Sequence, residues 1–279
     1  MTEFPPHEQP GRRAPIMTTE EYAKVKHIRP YVFDIEVGDS KLSYFGMGHS
    51  NNPDDPAYQQ VIETFDRVQP DFVMVEGIDR LAERKDEIDT WFQGKTKEQI
   101  IREGGESAYV LSLAAARGIE YDSPEPDKHN EVVAIAEQGF SREQIFLFYI
   151  NRDVEQYYRM SERPSLEEFL QPKLDTLQKD TDWVDFEFSF DHYARLMKEL
   201  LGIEVPKDWQ TLHDLADPIP WPEKEMKSTN DIATASSRFR DEHIVEEIER
   251  RLKEYKRVLV VYGASHAVMQ EPALRSLSS

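Results

Sequence analysis

The sequence predicts an α/β fold: a central mixed, largely parallel sheet flanked by helices, with a helical cap inserted before the last strand. Three observations predict it. An apolar run at Leu42–Phe45, a stretch with Val61, Phe65 and Val68 at helical spacing, and a second apolar run at Phe72–Val75 form a βαβ unit. A further continuous apolar run, Val258–Tyr262, follows a long charged helix, as expected for a strand covered on both faces. Between these, Ser141 to Ser228 carries helix signals and no convincing strand.

The elements follow in order. Met1–Ile16 is polar and holds Pro5, Pro6, Pro10 and Pro15, so it reads as a disordered tail. Tyr31–Val37 and Lys41–Phe45 flank Gly38-Asp39-Ser40, a hairpin signal. Pro53–Pro56 opens a helix that Gln69-Pro70-Asp71 ends. Asp79–Phe92 and Thr96–Arg117 read as helices, the second interrupted at Gly104-Gly105-Glu106 and capped by Gly118. Ile119–Asp122 is a short strand leading into Ser123-Pro124-Glu125-Pro126. Helices follow at Asp127–Gln138 and Ser141–Met160, the latter opened by the capping box Ser141-x-x-Gln144. Ser165-x-x-Glu168 starts another. The loop Asp217–Glu223, DPIPWPE, is expected to cover a pocket. Ala235–Lys256 is the last predicted helix, with Ile244, Ile248, Leu252 and Tyr255 on its buried stripe. The chain thus divides into a tail (1–16), the first part of an α/β core (17–140), a cap (141–228) and the closing helix and strand (229–279).

Composition narrows the function. The formal charge is 34 − 54 = −20, which argues against nucleic acid or an anionic membrane as partner. There are no cysteines, so disulfides and cysteine nucleophiles are excluded. The apolar runs fall short of the ~18 residues of a membrane span, and the start has no secretory h-region. A cytoplasmic protein is expected.

Two copies of one device frame the chain: Gly46-x-x-His49 after the strand at Leu42–Phe45, and Gly263-x-x-His266 after Val258–Tyr262. The strand at Phe72–Val75 ends in Glu76-Gly77. Open α/β sheets build sites at carboxyl strand ends. Parallel pairing would therefore bring His49, Glu76 and His266 to one pocket, each on a turn. One such histidine is more often a hydrogen-bonded structural residue; the duplication argues otherwise. Two imidazoles and a carboxylate form a catalytic metal set with a position left for water. His49 and His266 are candidate ligands, and Glu76 a ligand or general base. Arg238 and Arg240, one helix before the last strand, are candidates to stabilise an oxyanion, or to pair with glutamates of their own helix. Glu106, beside two glycines in a helix, is a candidate pocket acid and metal oxygen; Glu125, between two prolines, is a weaker one. His243 with Glu247 reads as a solvated face, and His192 and His213 show no partner. Familiar motifs fail: Asn51 stands where a dinucleotide fingerprint needs its third glycine, and no Walker A loop or His-Glu-x-x-His is present. Gly263-Ala-Ser265-His-Ala267 mimics a nucleophile elbow. There, however, the acid and histidine follow at a distance, whereas here the histidine adjoins the serine.

The paired Gly-x-x-His motifs, Val75-Glu76, and Arg240-Asp241 before the last strand resemble the TraB/TIKI family. That family groups with the erythromycin esterases and the ChaN-like haem-binding lipoproteins. The likeness covers roughly 33–125 and 236–274. It implies an α/β core with its site at the strand ends and, for TIKI proteins, a divalent-metal protease supported by manganese or cobalt; zinc is a further option. His49, Glu76, Arg240 and His266 match the motif positions. Erythromycin esterase-like relatives imply instead a metal-free esterase using histidine and glutamate. The chain departs from secreted or membrane-anchored relatives in showing neither a signal nor a membrane tail. The expected partner is a peptide or small-molecule substrate, with a homodimer compatible; the non-enzyme alternative is a protein that sequesters such a ligand.

Overall fold

The computed structural model describes residues 14–78, 81–160 and 163–278. Most of the predicted tail therefore lies outside the described residues. Its last three residues do not trail away: the Ala14 N–H donates to Ser276 Oγ at 3.0 Å, and Ile16 packs on the core.

In chain order the elements are α1 (Thr19–Tyr22), β1 (Tyr31–Val37), β2 (Ser40–Met47), α2 (Pro56–Val68), β3 (Phe72–Val75), α3 (Lys85–Phe92), α4 (Lys97–Ala116), β4 (Glu120–Asp122), α5 (Lys128–Glu137), α6 (Arg142–Arg159), α7 (Leu166–Thr181), α8 (Phe190–Leu201), α9 (Trp209–Ala216), α10 (Ser228–Glu254), β5 (Arg257–Gly263) and α11 (Ala264–Arg275). The sheet runs β1-β2-β5-β3-β4. Only β1 is antiparallel, joined to β2 by the predicted hairpin. β2, β5, β3 and β4 are parallel. The register sets Met47 beside Gly263 and Val75 beside Val261, so three strands end almost level.

Strand alternation sorts the core into two layers. Phe45, Met47, Val73, Val75, Leu259 and Val261 face α2 and α4. Leu42, Tyr44, Phe72, Met74, Val258 and Val260 face α10 and α11. Both faces are covered, which is why these strands read as near-continuous apolar runs, interrupted in β2 by Ser43, whose hydroxyl donates to Asp34. The cap has its own core, built from α5–α9 around Ile145–Ile150.

α10 ties the two cores together. Its 27 residues span roughly 40 Å. Ile232, Ala233 and Ala235 pack in the cap core, while Ile244, Val245, Ile248 and Leu252 pack on the sheet. Arg240 and Asp241 fall between these stripes, where cap and sheet meet. The helix begins at Ser228, seven residues before its predicted start at Ala235. Ser228-Thr-Asn-Asp231 has weak helix propensity, but burial decides. Asn230 is fully buried, and its Nδ2 donates to the carbonyls of Asp214, Leu215 and Asp217.

One position controls how α11 docks. A Cβ on Gly46 would lie 2.7 Å from Ala267 Cβ and 3.0 Å from both Ala264 Cα and Tyr31 O. Two of these neighbours belong to α11, so only glycine lets that helix lie against β2. Gly46→Ala is expected to lose about 1–3 kcal/mol of stability, as overpacked core sites do. Urea denaturation measures it; an unchanged midpoint would mean that α11 shifts freely.

A candidate active site where the sheet meets the cap

The structure brings His49 and His266 to one cavity of about 410 Å³, together with Arg240, Phe148 and Arg152 of α6, and Asp217, Ile219 and Trp221. The DPIPWPE loop thus lines the cavity that holds both histidines. A larger cleft of about 790 Å³, lined by α3, α4 and the start of β4, contains no histidine.

His266 is not on a turn, as expected, but in the first turn of α11, which starts directly after β5. Its Nδ1 lies 2.6 Å from Oδ1 of Asp241, a carboxylate with no exposed surface. The same oxygen accepts from Gln270 Nε2 at 2.6 Å, and Gln270 Oε1 accepts from Tyr44 at 2.9 Å. An ionised carboxylate only accepts hydrogen bonds, so the neutral ring carries its proton on Nδ1 and a lone pair on Nε2. Burial pushes the imidazole pKa down, but Asp241 and then Glu76 outweigh it and hold the pKa above its ordinary value. Nε2 stands 3.8 Å from Glu76 Oε1, too far for a hydrogen bond.

Glu76 is anchored from behind. Its Oε2 accepts the Gly263 N–H at 2.6 Å, at the N-terminus of α11. A Cβ on Gly263 would stand 2.9 Å from that oxygen. Each Gly-x-x-His motif therefore needs its first glycine for close approach: Gly46 admits α11, and Gly263 admits Glu76.

His49 sits in the loop after β2 with its ring largely exposed. Its Nδ1 is bonded to Glu106, whose other oxygen accepts the Ser50 N–H at 3.3 Å. Glu106 reaches it because α4 kinks at Gly105, whose φ of +64° suits glycine. Asn51 Nδ2 donates to the carbonyls of Ile101 and Arg102, both at 3.2 Å. Asn51 thus ties the loop that carries His49 to α4 just before the kink. The two glycines beside Glu106 thus have a cause.

Arg240 lines the cavity, but it does not pair with a glutamate of its own helix. Its Nε and Nη2 grip Glu125 at 3.0 and 2.8 Å, and Nη2 stands 3.8 Å from Glu76. Glu125 also accepts from Tyr262 and from the Gly77 N–H. Burial opposes its ionisation, yet Arg240 and these donors hold its carboxyl well below the usual range. Arg238, by contrast, is exposed and pairs with Glu242 at 2.9 Å. It takes no part in the site.

The four expected metal donors do not form one set. They separate into His49 with Glu106, and His266 with Glu76. Among the described residues no group of three or more His, Asp or Glu side chains is arranged to hold an ion. The pair His266 Nε2 and Glu76 Oε1, backed by Asp241, is the nearest approach to one.

Sequence reasoning missed three things. Asp241 as the partner of His266 carried no local signal beyond its place beside Arg240. His213 lies on the cavity wall and pairs with Glu155 at 3.2 Å. Arg152, on a cap helix, reaches the same wall. His192, expected to be bland, is buried against Phe146, with Nδ1 on the Glu187 carbonyl.

Fold and site together define an α/β protein with three carboxylate-bound histidines around one cavity where the sheet meets a helical cap. Comparison with protein-family models, with curated proteins and with solved structures finds no match. No helix among the described residues is long and apolar enough to cross a membrane.

Proposed function

We propose that the protein is a hydrolase of ester or amide bonds in a small molecule or peptide, with a carboxylate-oriented histidine as general base. One observation carries this reading: each of the three histidines lining the cavity, His49, His213 and His266, is bound on Nδ1 by a carboxylate, and in His266 this leaves Nε2 as the basic nitrogen. In the reaction, water attacks the carbonyl carbon as Nε2 of His266 takes its proton. The tetrahedral intermediate then collapses, and the proton passes to the departing oxygen or nitrogen. Asp241 holds the ring and stabilises the imidazolium; it is a positioning residue. Arg240, its charge balanced by Glu125, brings guanidinium donors to the cavity wall, and Trp221 with its loop shields the site from water. His49 with Glu106 forms a second dyad of the same build.

The test is hydrolysis of an activated ester and an activated anilide by the purified protein. His266→Ala should abolish the reaction, and His49→Ala should lower it. Normal turnover in both variants would remove the reading.

A metal-assisted variant is favoured by the 3.8 Å approach of His266 Nε2 to Glu76. A divalent ion held there would supply Lewis acidity and an acidic water. Manganese, cobalt or zinc should then stabilise chelator-treated protein by RT ln(1 + [L]/Kd), about 2.7 kcal/mol at a hundredfold excess over Kd, and so raise its melting temperature. The effect should vanish in His266→Ala. Full activity after chelation with no ion-induced shift leaves the metal-free route.

A further inference from the structure

We propose that the cavity receives the anionic group, a carboxylate or phosphate, of an amphipathic acid-bearing substrate, with Arg29 and Arg152 as its anchors. This deepens the hydrolase reading and rests on it for the bond that is cleaved.

The chain carries 54 acidic side chains against 34 lysines and arginines, so an arginine has carboxylates in excess. Most find one: Arg67 pairs with Asp34, Arg117 with Asp66, Arg195 with Glu187 and Arg251 with Asp122. Arg29, just before β1, and Arg152, on α6, make no ion pair with a described residue, yet both line the cavity that holds His49 and His266. The guanidinium of Arg152 stands 5.6 Å from the Phe148 ring. Arg102, Arg142 and Arg163 also make no ion pair with a described residue, but none of them lines this cavity.

The cavity's own acid does not compensate them. Among the described residues Asp217 is the single carboxylate on its wall. It is already held by Lys224 at 3.4 Å, by Trp221 Nε1 at 3.2 Å and by the Ile219 N–H at 3.0 Å. Arg240 is balanced by Glu125. What remains is two guanidinium groups that make no ion pair among the described residues, one from the core side and one from the cap, in a chain of net charge −20. Such a chain repels anions at long range, so admitting one requires local positive charge at the mouth. The planar fork of arginine matches a carboxylate or phosphate with two parallel hydrogen bonds. Phe148, Ile219, Trp221 and Met269 give the same wall an apolar part. The complement is a molecule with an acidic end and an apolar body.

Benzoate and phenyl phosphate, with neutral benzamide as control, test this by titration calorimetry at constant ionic strength. One or both anions should bind, and their ratio shows which acid is preferred. Arg29→Gln/Arg152→Gln should lose at least tenfold in affinity, while Arg102→Gln should match the wild type. If the double variant does not fold, each single variant should lose part of the affinity. Benzamide binding as well as the anions, no binding by either anion, or full affinity without the two arginines would overturn the proposal. His266→Ala separates the two readings, since it should keep anion binding while losing hydrolysis.

Discussion

Asp241→Asn is expected to cut the hydrolytic rate by 10²-fold or more while leaving the protein folded. General-base catalysis contributes typically about 10²–10⁴-fold, and the ring performs it only with the lone pair on Nε2. Asp241 fixes that tautomer through the 2.6 Å bond to Nδ1. An asparagine amide in its place can donate to Nδ1 and so drive the proton to Nε2. The pH profile tells a positioning role from a structural one. The base must be unprotonated, so activity should rise with pH through the pKa of His266. Asp241 and Glu76 hold that pKa above 6.5, so the midpoint should lie above 6.5 and fall in Asp241→Asn. The linkage to stability has the opposite sign. A raised imidazole pKa adds stability that is complete below pH 6.5 or so and is lost as pH rises through the folded value. Activity and the His266 part of stability should therefore move in opposite directions across this window. A midpoint unchanged in the variant would count against His266 as the base.

The largest expected loss of stability follows from Glu125→Ala, at about 3–5 kcal/mol, the usual cost of stranding one partner of a buried ion pair. Arg240 and Glu125 are only 11% and 10% exposed. Without the carboxylate, the guanidinium keeps Glu76 at 3.8 Å as its nearest remaining acid. Folded domains are stable by only about 5–15 kcal/mol, so the shift in urea midpoint should be plain. Glu125→Leu/Arg240→Met should cost less than the single change, because no charge is left buried. Glu125 also predicts acid sensitivity. Its carboxyl is depressed below the ordinary 4.5, so its contribution is complete above that pH and is lost as pH falls toward the folded value. Equal losses from the single and the double change would refute this account of the pair.

The three parallel strands were legible because each is covered on both faces, and burial on two sides removes polar alternation from the sequence. Gly46-x-x-His49 and Gly263-x-x-His266 were legible because the same device stands after two of those strands. The reason for the glycines was not, since the atoms they make room for, on α11 and on Glu76, come from distant parts of the chain. Gly105 stood out as an odd choice within a helix; only the tertiary structure shows that its kink delivers Glu106 to His49, 57 residues away in sequence.

By itself, then, the sequence determined the layers, the parallel order of the strand ends and the presence of both histidines at one edge. These follow from local periodicity and from the burial of apolar runs. The tertiary structure decided the pairing: Asp241 with His266, Glu106 with His49, Glu125 with Arg240, and Arg152 brought onto the wall from a cap helix. Carboxylates are abundant in this chain, and nothing local distinguishes one from another. Which of them becomes a partner depends on where α10 crosses from the cap core to the sheet and on the angle at which α4 bends. Both are set by packing summed over many residues, and no short stretch of sequence carries that sum.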